Sequence, residues 1–267
     1  MMKYELGFIG AGNMAEAIVR AAIDKDIIRA TKIIASDPSD ERRSAFAGLG
    51  TDVTTDGKHV ISESQQVLLA IKPQTLKNIG PELAAVNPTM QVIISIMAGV
   101  STVKIASVIG KSAKLIRVMP NTPLQVACGM AAIALGGSAK PDDAALTQQL
   151  FGAAGETIMV DECEIDAITA VSGSGPAYLF YLAEAMQVAA EDLGLGQHAN
   201  QLVCQTLIGS ATLLSKQNLS ANQLRQQVTS PGGTTEAAIK HLDANKTKEV
   251  FINAIKAAEQ RSKELGA

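Results

Sequence analysis

The sequence predicts an α/β protein: a doubly wound, mostly parallel sheet in the N-terminal part and an all-α C-terminal part. Three observations carry that prediction. Short, apolar, partly β-branched runs alternate with helical patterns through the first 160 residues, as strands covered on both faces by crossover helices do. A Gly-x-Gly turn joins the first of these runs directly to the first helix. After Val160 no convincing strand remains, and the helices that follow are apolar over wide faces. The expected division is therefore residues 1–160 for the sheet domain and 161–267 for the helical one.

Taken in order, Tyr4–Ile9 reads as a short buried strand, and a helix opens near Asn13 with Met14, Ala17, Ile18 and Ala21 on one face. Further strands are expected at 32–36, 67–71, 91–95 and 115–119, with helices at about 40–47, 75–86 and 101–109. Two later strands, 130–135 and 157–160, flank a helix opened by Pro141, Asp142 and Asp143. Pro176 stands where a helix's first turn begins, behind the candidate caps Ser172 and Ser174. A second helix at about 198–216 follows, then a third behind the capping box of Ser220 and Gln223, and two more from about 235 and 246. Stretches 178–193 and 198–214 carry more Ala, Leu, Ile and Met than one-sided burial needs. This half is expected to form an obligate dimer; a monomeric bundle around one central helix is the bland alternative.

Composition narrows the function class. The 267 residues are 47% hydrophobic and 18% charged, which excludes disorder, and aromatics are only 3% with no Trp, which disfavours base stacking. The net charge is −3 and the 23 Lys and Arg are scattered, so no basic stripe for nucleic acid or an anionic membrane is visible. Cys128, Cys163 and Cys204 are far apart and odd in number, a pattern that fits free buried thiols in a reducing compartment. His59, His198 and His241 are equally dispersed, and no metal site is expected. With no leader pattern and no apolar run long enough to span a bilayer, a cytoplasmic protein is expected.

The chemistry concentrates in a few segments. Gly10, Ala11, Gly12, Asn13, Met14 and Ala15 form a G-x-G-x-x-A fingerprint between strand and helix. In it the first Gly makes the turn, the second admits a pyrophosphate and the small last residue lets helix and strand pack closely. The second strand ends at Ser36 and Asp37, where an acid takes the ribose hydroxyls of NAD. Ser36, Arg42 and Arg43 could instead clamp the extra phosphate of NADP, and Asp37 could simply cap the next helix. Ala70, Ile71, Lys72 and Pro73, and Ile96, Met97, Ala98 and Gly99, sit at strand C-termini, where such sheets bind ligands. Lys72 reads as a proton donor, a phosphate neighbour or a solvated Lys beside a turn. Asn121 and Thr122, between Pro120 and Pro123, could face the same cleft.

A second informative stretch is Thr229, Ser230, Pro231, Gly232, Gly233, Thr234 and Thr235. Glycines and hydroxyls before a helix start offer backbone N–H groups to a small carboxylate, or make a plain cap. No acid–base pair is apparent, which suits hydride addition to a protonated imine better than oxidation of an alcohol. The competing classes are a hydroxyacid dehydrogenase using Lys72 and a silent NAD(P)-binding sensor.

Together these motifs, with Ser172, Gly173, Ser174, Gly175, Pro176, Ala177 and Tyr178, resemble the pyrroline-5-carboxylate reductase family over essentially the whole chain. The resemblance implies a Rossmann domain and a helical domain that interlocks into a homodimer, with five dimers forming a decamer. It implies reduction of L-1-pyrroline-5-carboxylate to L-proline with NADPH or NADH, the last step of proline biosynthesis. By motif, Thr235 would hydrogen-bond the imine nitrogen, and Ser230, Gly232, Gly233 and Thr234 would surround the substrate carboxylate. Ile9, Gly10, Ala11, Gly12, Asn13 and Met14 would hold the pyrophosphate, and Ala70, Lys72, Pro73 and Ala98 would flank the ribose and nicotinamide. Each active site would join one subunit's cofactor to the other's loop. The chain departs from many members at Asp56-Gly57, where they carry Asn, at Asp37, where some carry Ser or Thr, and before Gln223-Leu224, where Pro is usual.

Overall fold

The computed structural model describes residues 2–266. Among the described residues, eight strands form one sheet: β1 (Tyr4–Ile9), β2 (Ile33–Ser36), β3 (Asp52–Thr54), β4 (Ser64–Leu69), β5 (Val92–Ser95), β6 (Lys114–Met119), β7 (Gly129–Gly137) and β8 (Gly155–Met159). Their order is β3-β2-β1-β4-β5-β6-β7-β8. All pairings are parallel except β6 with β7. The order reverses between β1 and β4, so the chain winds outward in both directions from that point, and a crevice opens at the strand C-termini there.

The sheet helices are α1 (Asn13–Asp24), α2 (Asp40–Ala47), α3 (Gly57–Glu63), α4 (Gly80–Leu83), α5 (Thr102–Ile109) and α6 (Ala145–Gly152). Two apolar layers result. On one side Leu6, Phe8, Ile18, Phe46 and Phe151 pack together, and on the other Ile9, Ile61, Leu69, Leu83 and Ile105 do. Phe8 and Phe46 meet edge to face with centroids 5.9 Å apart. Fully burying one such side chain contributes about 1.5–3 kcal/mol, so the central strands need no help from charges.

The helical part continues with α7 (Ile165–Ile168), a π-helical turn at Thr169–Gly173, α8 (Gly175–Asp192), α9 (Ala199–Lys216), α10 (Ala221–Gln227), α11 (Thr234–Ala244) and α12 (Thr247–Gly266). Ser220 accepts from the N–H of Gln223 and the Gln223 side chain reaches back, which completes the expected capping box. By internal contacts, one compact unit takes the chain up to Ser174 together with Ala258 onward, and the other is Gly175–Ala257. By contacts, residues 161–174 therefore group with the sheet, and the division between the two compact units falls after Ser174. Ile165 is buried with Ala132 and Ala134 of the sheet, and the end of α12 returns to the first unit, so sequence position alone could not mark it.

Some local expectations are corrected. The helix expected at 75–86 is a 3-10 turn (Pro73–Thr75) followed by the single turn α4, because Gly80-Pro81 interrupts the run. β3 and α3 were not expected: β3 has three residues and no buried one. Cys128, Cys163 and Cys204 are exposed, not buried, since they lie after a left-handed turn, on a 3-10 turn and on the outside of α9. Among the described residues, no helix is long and apolar enough to cross a membrane, and no group of three His, Cys, Asp or Glu side chains is placed to hold a metal.

Candidate active site

The glycine turn sits at the reversal point. Gly10 has φ +96°, and a Cβ there would lie 2.7 Å from the Ala70 carbonyl oxygen, so only Gly fits. Gly12 is the N-cap of α1 with no side chain capping that helix, and a Cβ on it would meet nothing within 4 Å. The turn therefore leaves open space in front of uncapped N–H groups at the positive end of a twelve-residue helix.

The end of β2 holds this turn from the side. Asp37 accepts from the Ala11 N–H at 2.8 Å through one oxygen and from the Ser39 N–H at 2.9 Å through the other. Arg42 donates through Nε to the Ala11 carbonyl at 2.6 Å and pairs with Glu16 at 2.7 Å. The Ala11 peptide is thus gripped at both its polar atoms. Arg20 and then Arg42 hold the Glu16 carboxyl below its usual range. Ser39, not Asp37, caps α2. Arg43 donates to the Asp37 carbonyl and pairs with Asp40, so both guanidiniums named as a phosphate clamp are engaged within the protein. Ser36 is buried, with its hydroxyl on the Phe8 carbonyl.

Beyond the turn, a cleft of about 380 Å³ opens along the strand C-termini. It gathers Met14, Ala70, Lys72, Pro73 and Ala98 with Ile71, Ile96, Met97, Asn121, Thr122 and Gly173. Of the expected cofactor residues, these five meet there. Asn13 lines a separate cleft with Glu16, Arg20 and Gln125. Ile9 is buried in the core, so only its backbone can serve a ligand. Asn121 is committed to structure: it accepts from the Met130 N–H at 2.8 Å and donates to the Ser172 carbonyl at 3.3 Å.

The second candidate loop lies wholly in the other unit. Gly233 is the N-cap of α11, again with no capping side chain, and its N–H donates to the Ser230 carbonyl at 3.0 Å. Gly232 has φ +73°. Its N–H is taken by the Glu236 carboxylate at 2.9 Å, and Glu236 pairs with Lys240 at 3.2 Å. Gly232 thus supplies a left-handed turn rather than a donor. Ser230 and Thr234 are exposed and Thr235 is half-buried at the start of α11. Glu236 escaped the sequence reading, although an acid in a helix's first turn behind Gly-Gly is a visible signal.

The residues present fit a dinucleotide: an open glycine cradle, an uncapped helix end, an acid at the end of β2 and an apolar slot at the neighbouring strand ends. Comparisons with known proteins agree. Residues 162–265 match the family model described as pyrroline-5-carboxylate reductase dimerisation, and residues 5–99 the model described as NADP oxidoreductase, coenzyme F420-dependent. The chain is 40% identical over 266 residues to pyrroline-5-carboxylate reductase of Pseudomonas aeruginosa, covering 97% of this chain and 96% of that one. A solved pyrroline-5-carboxylate reductase from Coxiella burnetii superposes with a TM-score of 0.88 at 37% identity over 99% of both chains. A solved pyrroline carboxylate reductase from Plasmodium falciparum with NADP bound gives 0.87 at 28% identity over the full length of both.

Proposed function

Because the chain belongs to the pyrroline-5-carboxylate reductase family, we infer that it reduces L-1-pyrroline-5-carboxylate to L-proline with NAD(P)H, the last step of proline biosynthesis. The observation that carries the reading is the pairing, in one chain, of the glycine turn at the β1/β4 reversal with the Ser-Pro-Gly-Gly-Thr-Thr loop at the head of α11.

The residue roles in this reading are those the family motif carries onto the chain. Gly10, Ala11, Gly12, Asn13 and Met14, with the backbone of Ile9, hold the pyrophosphate at the start of α1, and Asp37 stands on the ribose side. Ser36, expected beside it, is buried with its hydroxyl on the Phe8 carbonyl and supports the strand end instead. Ala70, Lys72, Pro73 and Ala98 flank the ribose and nicotinamide. When bound, the reduced nicotinamide supplies the hydride for the electrophilic carbon of the C=N bond. The head of α11 receives the substrate carboxylate on the uncapped Thr234 N–H and the Ser230 hydroxyl, with Gly232 and Gly233, whose own N–H groups are taken by Glu236 and the Ser230 carbonyl, shaping the turn around it. Thr235 places its hydroxyl at the imine nitrogen and fixes the ring's orientation. A protonated imine already carries its proton, so no general base is required. Lys72, exposed at the cleft rim, acts on phosphate rather than as an acid.

The reading includes a homodimer formed through Gly175–Ala257, supported by the dimerisation match and by the apolar side chains that stretch exposes. Five such dimers in a decamer and a cytoplasmic location complete it, on the family likeness. The test is loss of reduced-nicotinamide absorbance with pyrroline-5-carboxylate and either NADPH or NADH. Turnover is expected; a folded dimer that binds dinucleotide and turns over neither would make the chain a silent sensor. Asp37→Ser is expected to shift preference toward NADPH, since a carboxylate beside a 2′-phosphate repels it. An unmoved ratio would leave Asp37 as a clamp on the Ala11 amide alone.

A further inference from the structure

The segment 96–101, between β5 and α5, supplies Ile96, Met97 and Ala98 to the cleft. Its outer side is held by the far end of the chain. Gly99 has φ +71°, and a Cβ there would lie 2.6 Å from the Cβ of Leu265 and 3.3 Å from the Ser262 carbonyl oxygen. From the other direction, a Cβ on Gly266 would lie 2.7 Å from the Gly99 carbonyl oxygen. The last turn of α12 therefore rests on the backbone of the loop, at a distance only two small residues allow.

That turn is anchored by a buried polar cluster. Ser262 is 4% exposed, and its hydroxyl donates to Asp166 Oδ1 at 2.8 Å. Asp166 pairs at 3.3 Å with Arg117, itself 4% exposed on β6. Arg117 also approaches Glu162 at 3.5 Å. Glu162 in turn accepts from both the N–H and the hydroxyl of Thr102, the first residue of α5. One buried guanidinium thus reaches the loop twice: through Glu162 to its end at Thr102, and through Asp166 and Ser262 to the turn packed on Gly99. Apolar side chains of similar volume could stabilise such a spot as well as this cluster does. A directional cluster fixes where the joined segments sit, and the segment it brackets is the one that carries Ala98 into the cleft.

We propose that the last turn of α12 is a positioning element for the nicotinamide end of the cofactor site, with Ser262, Asp166, Arg117 and Glu162 as positioning residues that act through Gly99 and Thr102 on Ala98. The proposal rests on the reading that the cleft takes the reduced dinucleotide with its nicotinamide against residues 96–98. It predicts a selective defect. Loosening the clasp weakens binding of the whole dinucleotide but not of ADP-ribose, which lacks the nicotinamide and is held at the glycine turn.

The experiment is calorimetric titration of the full-length protein and its Ser262→Ala and Gly99→Ala variants with NADPH, NADH, ADP-ribose and its 2′-phosphate. Ser262→Ala is expected to raise the Kd of the preferred reduced dinucleotide about fivefold, the effect of one lost buried hydrogen bond. Gly99→Ala is expected to raise it more. The Kd of the matching ADP-ribose should stay within about twofold of wild type for Ser262→Ala, since additivity holds for sites without shared partners. Equal weakening of both ligands, or no change in either, would overturn the proposal. A wild-type protein that binds none of the four would overturn the dinucleotide reading, and the proposal with it. Ser262→Ala removes one hydroxyl and keeps the chain foldable should Gly99→Ala fail to fold.

Discussion

The two units treat their apolar side chains in opposite ways. In the first, Leu6, Phe8, Phe46, Leu68, Ile93 and Phe151 are sealed from solvent on both faces of a finished sheet. In Gly175–Ala257 the buried apolar residues are Ala199 and Val203, whereas Leu179, Phe180, Tyr181, Leu182, Val188, Ile208, Leu213 and Phe251 stand exposed, Phe180 at 64% and Tyr181 at 76%. Four consecutive exposed residues at 179–182 point in every direction around α8. A helix apolar all round is stable only when surrounded. The first unit is complete as one chain, and the second is part of something larger, which is what a dimerisation domain requires.

The sharpest way to break that contrast is a charge on α8. Phe180→Glu is expected to weaken self-association by several kcal/mol, because an unpaired carboxylate would have to leave water. Sedimentation should show monomer where the wild type is dimer, and an unchanged mass would remove residue 180 from the interface. The same substitution is expected to leave dinucleotide binding nearly intact.

A second test compares two left-handed glycines, one per unit. Gly10→Ala adds a clash with the Ala70 carbonyl to the cost of its positive φ, and about 3 kcal/mol of stability should be lost with dinucleotide binding. Gly232→Ala incurs the positive φ alone, with open space around the new methyl, and about 1 kcal/mol is expected. Thermal unfolding of both variants checks the order; equal losses would contradict it. Next comes Thr235→Ala, for which kcat should fall by about 10²-fold, as for loss of one oriented donor at the reacting atoms, with the cofactor Kd unchanged. Unaltered kcat would remove Thr235 from the chemistry.

The smallest effect concerns a flaw in the sealed unit. Burial, and then Asp56, push the Glu82 carboxyl above its usual value. A raised acid favours the protonated form in the folded state, so its charge weakens the fold above that pKa and the loss is relieved as pH falls through it. Glu82→Gln should therefore raise Tm slightly at pH 7, and the gain should vanish toward pH 4. A gain that persists at low pH would assign the effect to packing instead.

The elements that the sequence revealed best are those whose cause is local. The strand at Tyr4–Ile9, the helix at Asp40–Ala47 and the Ser220 capping box each announce themselves within a few residues. What stayed hidden depends on partners far along the chain. β3 is held by parallel pairing with β2 and shows no apolar run. Arg117 sits in an apolar strand, and nothing near it hints at Glu162, Asp166 or, through Asp166, Ser262. At the site, the glycine turn and the Ser-Pro-Gly-Gly-Thr-Thr loop were legible as motifs. The grip of Asp37 and Arg42 on the Ala11 peptide was not, because it arises only when β1 and β2 lie side by side.

The two borders of the sheet bear on how the chain avoids sticking to its neighbours while it folds. An open strand border is a template for pairing with another molecule. β3 is only three residues long, and its Asp52 is drawn to Lys3 and Tyr4, so that border is short, charged and a poor template. β8 is longer and leaves Ile158 and Met159 exposed. Any aggregation during refolding should begin at β8, and a lysine in place of Ile158 is the change that would suppress it.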